Sequence, residues 1–221
     1  MNHLPNPIRL TTLALTTGLL MAGGLVAASA VDGPSVQEQE AASSSPDAWS
    51  VDTVHSCAMF RVRHMGAGYF WGRFNDIAGT IDFDPDRPES LAMDISIDVE
   101  SVDSGHPGLD KHLKSPDFFD VKEFPLMTFK SERVKQKPTD RRADSPAMAW
   151  DVTGQITMCG KSMELTAEVV YWGAANLGRG DRAGFETTFS IKRSEFGINY
   201  GVDQGSLGDM VNVTAAFEVT K

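Results

Sequence analysis

Few side chains in this 221-residue sequence are arranged for chemistry. His55, His64, His106 and His112 are numerous enough for a metal site, but no pair has the compact spacing common in zinc and iron motifs. They are expected to be hydrogen-bonded or surface histidines, and no metal is predicted. Asp94, Asp98, Asp103 and Asp110 do not match a calcium loop, and strand alternation explains the first two as a solvated face. Ser56 stands next to His55, yet adjacent residues of a strand point to opposite faces, so the two do not form a nucleophile–base pair. No catalytic residue is therefore predicted. An enzyme reading would have to place His64 or His112 as acid/base on a hydrophobic substrate.

Charge narrows the partners. Lys+Arg 20 against Asp+Glu 30 leaves a formal charge of −10, the wrong sign for neutralising phosphates, so no nucleic-acid partner is expected. The same balance predicts that charge will not draw the chain to anionic membrane surfaces. The first thirty residues read as an export signal: a short start with one basic residue, Arg9, an apolar run over 10–26 diluted by Thr and Gly, and Ala28-Ser29-Ala30 as a small-x-small cleavage site. An uncleaved membrane anchor is the alternative, because 10–30 is just long enough to span a bilayer. Residues 31–48 (VDGPSVQEQEAASSSPDA) lack periodicity and read as a flexible linker. The organisation predicted is thus 1–30 signal peptide, 31–48 linker and 49–221 folded domain, roughly 170 residues, periplasmic or secreted. An oxidising compartment favours a disulfide, and two cysteines permit one pairing, Cys57–Cys159. Free thiols are the alternative, since Cys57 has outward strand parity and Cys159 falls in a turn.

The elements that must position these residues are strands. Leu91, Met93, Ile95, Ile97 and Val99 alternate with Ala92, Asp94, Ser96, Asp98 and Glu100, a period of two that no helix produces. The pattern returns around 150–158, 163–171, 185–191, 211–219, 77–83 and 127–129. With an opening strand over 49–64, eight strands are counted. Apolar parity slips inside the opening strand, from Trp49 and Val51 to Ala58, Phe60, Val62 and His64, which predicts a bulge or bend. Eight antiparallel strands with one apolar face can close into a barrel and remove their edges. The class predicted is all-β: an eight-stranded antiparallel, lipocalin-like barrel, either filled by side chains or holding one elongated ligand.

One segment interrupts the strands, between the third and the fourth. Leu109, His112 and Leu113 have helical spacing and Pro116 stops the helix, so a short helix is expected over the barrel mouth, followed by Phe118 and Phe119. The run His112-Leu113-Lys114-Ser115-Pro116-Asp117-Phe118-Phe119-Asp120-Val121, then Phe124-Pro125 and Phe129-Lys130-Ser131, resembles the central signature of the YceI-like, polyisoprenoid-binding proteins. Other blocks agree: Asp52 with His55-Ser56, Val62-Arg63-His64-Met65, Gly72-Arg73-Phe74, Gly79 to Asp84, Arg182 to Phe185, and Lys192 to Gly197. One departure is Cys159-Gly160, where family members often carry His-Gly.

The resemblance implies an exported barrel holding a long isoprenoid or similar amphiphilic chain, such as a polyprenyl or quinone, with no cofactor beyond that bound lipid. The partner expected is a hydrophobic small molecule, with a membrane as transient donor or acceptor; the oligomeric state is open, a homodimer being one option. Candidate pocket residues are Phe60, Val62, His64, Met65, Phe70, Phe74, Leu109, His112, Leu113, Phe118, Phe119, Met127, Phe129, Phe189 and Ile191. Each would serve a packed core equally well, and a ligand-free, stress-related structural or interaction module with a filled barrel is the alternative function beside the enzyme. Candidates for meeting a polar head group at the mouth are Arg63, Arg73 and Asp117, beside His64 and His112.

Overall fold

The computed structural model describes residues 48–139 and 145–221; the expected signal peptide and nearly all of the linker lie outside the described residues. Alternating segments become eleven strand pieces of one antiparallel sheet: β1 (Ala48–Val51), β2 (Cys57–His64), β3 (Gly68–Phe74), β4 (Ile77–Asp84), β5 (Arg87–Asp98), β6 (Val102–Asp103), β7 (Leu126–Lys137), β8 (Met148–Met158), β9 (Lys161–Asn176), β10 (Asp181–Lys192) and β11 (Leu207–Thr220). Their order is β1-β4-β5-β7-β8-β9-β10-β11-β2-β3-β6, and a further pairing of β1 with β11 closes the sheet. β1 and β2 lie end to end along β11, through Val51↔Val219 and Ala216↔Cys57. β3 runs into β4 across Asn75 and Asp76, so the pieces make eight rows, an eight-stranded antiparallel barrel.

The parity slip marks the break between β1 and β2. A turn at Thr53 and Val54 resets the alternation, so Trp49 and Val51 face inward before it and Ala58, Phe60 and Val62 after it. β3 was not among the expected strands. The basic stretch that begins at Arg133 is strand through Lys137, with Arg133 paired to Glu164 and Lys137 to Asp151 and Glu168. Residues 140–144 lie outside the described residues. The β8–β9 hairpin turns through Cys159 and Gly160, both at positive φ (50° and 71°), as a two-residue type I′ turn requires.

The helix falls where its spacing predicts, as α1 (Pro107–Leu113) between β6 and β7. Pro at its first turn costs no hydrogen bond, and His106 Nδ1 accepts from the N–H groups of Gly108 and Leu109 as the cap.

Inside, the two halves of the barrel differ. One half is packed solid around Phe83, whose ring centroid lies 5.7 Å from Trp150, 4.7 Å from Tyr171 and 5.3 Å from Phe185. Trp150 is fully buried, and its indole N–H donates to Pro88 O at 2.9 Å. Ile77, Ile81, Val152, Val169 and Val219 complete this plug. The other half is hollow.

Candidate functional site

The hollow half is a cavity of about 890 Å³, within the ~300–1,000 Å³ range of small-molecule sites. Inward parity builds its wall. β2 contributes Phe60, Val62 and His64, β3 contributes Phe70 and Phe74, β7 contributes Met127 and Phe129, and β10 contributes Phe189 and Ile191. Gly72 stands opposite Phe60 in the register, and a Cβ there would lie 2.5 Å from Phe60 Cζ. Glycine at this position lets the Phe60 ring lie against the wall instead of projecting into the bore.

The mouth is made by the β2–β3 turn, α1, and the loop that leads into β11. From α1 come Leu109, His112 and the buried Leu113. The segment after α1 folds back on it: Phe119 N–H donates to Leu113 O at 3.0 Å and Val121 N–H to Lys114 O at 3.2 Å. This return brings Phe119 to within 5.3 Å of the Phe74 ring, and Phe118 to 5.0 Å from His112 and 5.1 Å from Tyr200. His112 also meets Tyr200 edge-on at 4.9 Å, while its Nε2 lies 3.0 Å from Asp117 Oδ2. Met65, at φ 52° in the β2–β3 turn, borders the opening.

All fifteen pocket candidates border this cavity. The three head-group candidates do not. Arg63 points outward, where its guanidinium donates to Gly66 O and lies over the Tyr69 ring; Arg73 points outward to Asp103. Outward parity on their strands is the reason. Asp117 reaches the site only through His112.

Further lining residues were not among the candidates: Met93, Ile95, Leu165, Val169, Val213 and others with inward parity, and Arg193, Ile198, Tyr200 and Leu207 outside that pattern. Arg193 is 5% exposed. Its Nε donates to Gly208 O at 2.8 Å, Nη1 to Ile198 O at 3.1 Å and Nη2 to Leu207 O at 3.3 Å, which ties the chain between β10 and β11 across the mouth. Burial lowers its pKa from the ordinary guanidinium value, with the Asp209 carboxylate opposing.

The expected disulfide is corrected. Cys57 and Cys159 are both free thiols. Cys57 opens β2 whereas Cys159 turns between β8 and β9, and the rows β9, β10 and β11 stand between them. Cys159 Sγ sits 3.8 Å from Phe118 O and 3.7 Å from Phe119 O, and burial pushes its pKa up to about 11.

Away from the cavity, Asp52, His55 and Glu218 come close enough to share an ion. Arg182 already occupies the place of a cation there. Its Nη1 donates to Asp52 Oδ2 at 2.8 Å and to Glu218 Oε1, and His55 Nδ1 lies 3.0 Å from Asp52 Oδ2. Arg182, then His55 and the Val54 N–H, hold the Asp52 carboxyl well below the usual carboxylate range. The cluster fastens the β1–β2 turn to β10 and β11.

Comparison with known proteins matches the YceI-like domain to residues 49–219. The chain belongs to the YceI-like family. A UPF0312 protein of Pseudomonas aeruginosa is 34% identical over 170 residues, covering 74% of this chain and 81% of the relative. Among solved structures, Burkholderia cenocepacia BcnA superposes with a TM-score of 0.64 at 26% identity, covering 77% of this chain and 99% of BcnA. A Saccharophagus degradans domain described as polyisoprenoid-binding superposes with a TM-score of 0.59, covering 78% of this chain and 97% of the domain; at 14% identity it shows the family's barrel alone.

Proposed function

We propose that the protein is an exported, non-catalytic carrier or sequestering protein for an isoprenoid-type amphiphile, such as a polyprenyl or quinone chain, acting in the periplasm or outside the cell after its leader is removed. The observation that carries this is the apolar cavity of about 890 Å³ with α1, Phe118 and Phe119 across its mouth. Each methylene buried there contributes about 0.8 kcal/mol, so several isoprene units bind tightly with no catalytic group. A polar end left at the mouth meets His64, His112 and Tyr200 rather than the outward arginines. The polyisoprenoid-binding description of the Saccharophagus domain supports the same ligand class.

The test is native mass spectrometry and organic extraction of protein purified from its own host. A co-purifying prenyl lipid is expected. Protein that emerges empty and binds no added polyprenol or quinone would sink the carrier reading.

A second reading has one observation behind it: the His112–Asp117 pair at 3.0 Å puts an oriented imidazole on a substrate-sized cavity, as acid/base catalysis needs. His64 is the other candidate. Turnover of an extracted lipid that His112→Ala or His64→Ala abolishes would favour it, and turnover indifferent to both would remove it.

A further inference from the structure

The outer face of β2 and β3 carries a pattern that neither the barrel nor its cavity requires. The register pairs Met59 with Arg73, Arg61 with Trp71 and Arg63 with Tyr69, and strand alternation sets all six opposite the inward Phe60, Val62, Phe70 and Phe74, with Met59 and Tyr69 also reaching the edge of the cavity. The Arg61 guanidinium lies 4.7 Å from the Tyr69 ring centroid and 5.4 Å from that of Trp71; Arg63 lies 5.3 Å from Tyr69. Trp71 is 52% exposed and Tyr69 47%. Arg73 is matched by Asp103, but among the described residues Arg61 and Arg63 bond only to uncharged groups, Asn212 Oδ1 and Gly66 O. On β7, by contrast, Lys130, Arg133 and Lys137 each face a carboxylate. This face also runs into the cavity: Tyr69 and the exposed Met65 belong to both the surface and the rim.

We infer that this face docks the cavity mouth onto an anionic lipid bilayer. Two independent features select that partner. Tryptophan, tyrosine and methionine beside each other match the headgroup boundary, where an amphipathic ring is apolar on one side and wet on the other. The two unmatched arginines complement anionic headgroups. The formal charge of −10 opposes approach as a whole, so the local pair of cations orients the molecule, holding its acidic remainder in solution. The inference rests on the carrier reading only for its purpose: a cargo leaving at the rim would enter lipid without crossing water.

Flotation of the protein with its leader removed tests it, comparing phosphatidylcholine vesicles alone with phosphatidylcholine plus phosphatidylglycerol at low and high salt. Binding to the phosphatidylglycerol vesicles at low salt is expected. Arg61→Glu with Arg63→Glu lowers it by about tenfold or more; Trp71→Ala lowers it several-fold; and Lys130→Glu leaves it unchanged. Uptake of the soluble apolar dye N-phenyl-1-naphthylamine persists in all three variants and reports that the barrel is folded and open. Failure to bind anionic vesicles overturns the inference, as does binding indifferent to the double reversal. A dimer in sedimentation that the same reversal splits would also overturn it, by putting a second copy on this face. Dye uptake without vesicle binding sinks docking and spares the cavity; vesicle binding without dye uptake does the reverse.

Discussion

Phe119 meets Phe74 edge-to-face, with ring centroids 5.3 Å apart and planes at 72°. One ring belongs to the segment after α1 and the other to the barrel wall, so the contact is a latch between mouth and wall. Such pairs contribute about 0.5–1.5 kcal/mol beyond their buried area. Phe119→Ala should release a bound apolar dye roughly two- to tenfold faster in stopped-flow exchange, affecting dissociation more than association. An unchanged release rate would mean that the gate lies elsewhere.

Two substitutions to the same residue should behave oppositely in the two halves of the barrel. Val213 lines the cavity, whereas Val152 is fully buried beside the plug. Val213→Trp should fill hollow space and abolish ligand uptake while changing stability by less than about 1 kcal/mol. Val152→Trp has no room and should cost about 1–3 kcal/mol or more. Urea titration with dye binding reads both, and equal destabilisation would argue that the cavity is not open space.

Acid should reveal the Asp52 cluster. Because Arg182 and His55 depress the folded carboxyl's pKa, the unfolded chain takes up the proton first as pH falls. The stability Asp52 contributes is therefore fully present above about pH 4 and is lost as pH falls through the depressed folded value. Below about pH 4 the difference in unfolding free energy between wild type and Asp52→Asn should shrink. A difference that grows on acidification would contradict this assignment.

Cys159 should be slow toward thiol reagents. With its pKa pushed up to about 11 from 9.0, chiefly by burial, its thiolate fraction at neutral pH is roughly a hundredfold below that of an exposed thiol. Quantitative alkylation followed by mass spectrometry should find Cys159 unmodified when unfolded controls have reacted. The same shift predicts stability that holds below about pH 9 and declines as pH rises toward 11. Rapid modification in the folded protein would place the sulfur outside the cover of Phe118 and Phe119.

Much of the barrel was legible because most rows carry a polar outer face against an apolar inner one. β3 hid for a physical reason: Gly68-Tyr-Phe-Trp-Gly is apolar or small on both faces, since its outward rings lie under arginines, so no alternation shows. The position of Arg63 was readable from the parity that points Phe60 and Val62 inward, and proximity in sequence to His64 was a poorer guide. Arg193 was not readable. A buried guanidinium held by three carbonyls exists only once the chain between β10 and β11 has closed over the mouth, and periodicity carries no trace of such a tertiary arrangement.

The aromatic plug around Phe83 turns the barrel into a cul-de-sac. A polymer that enters must go in by one end and back out by the same route, keeping its orientation throughout. On the proposed carrier reading, any length beyond the pocket stays outside, so the protein would sample the terminal units of a chain and remain indifferent to how long the remainder is. A series of homologues differing only in repeat number could then share a single carrier.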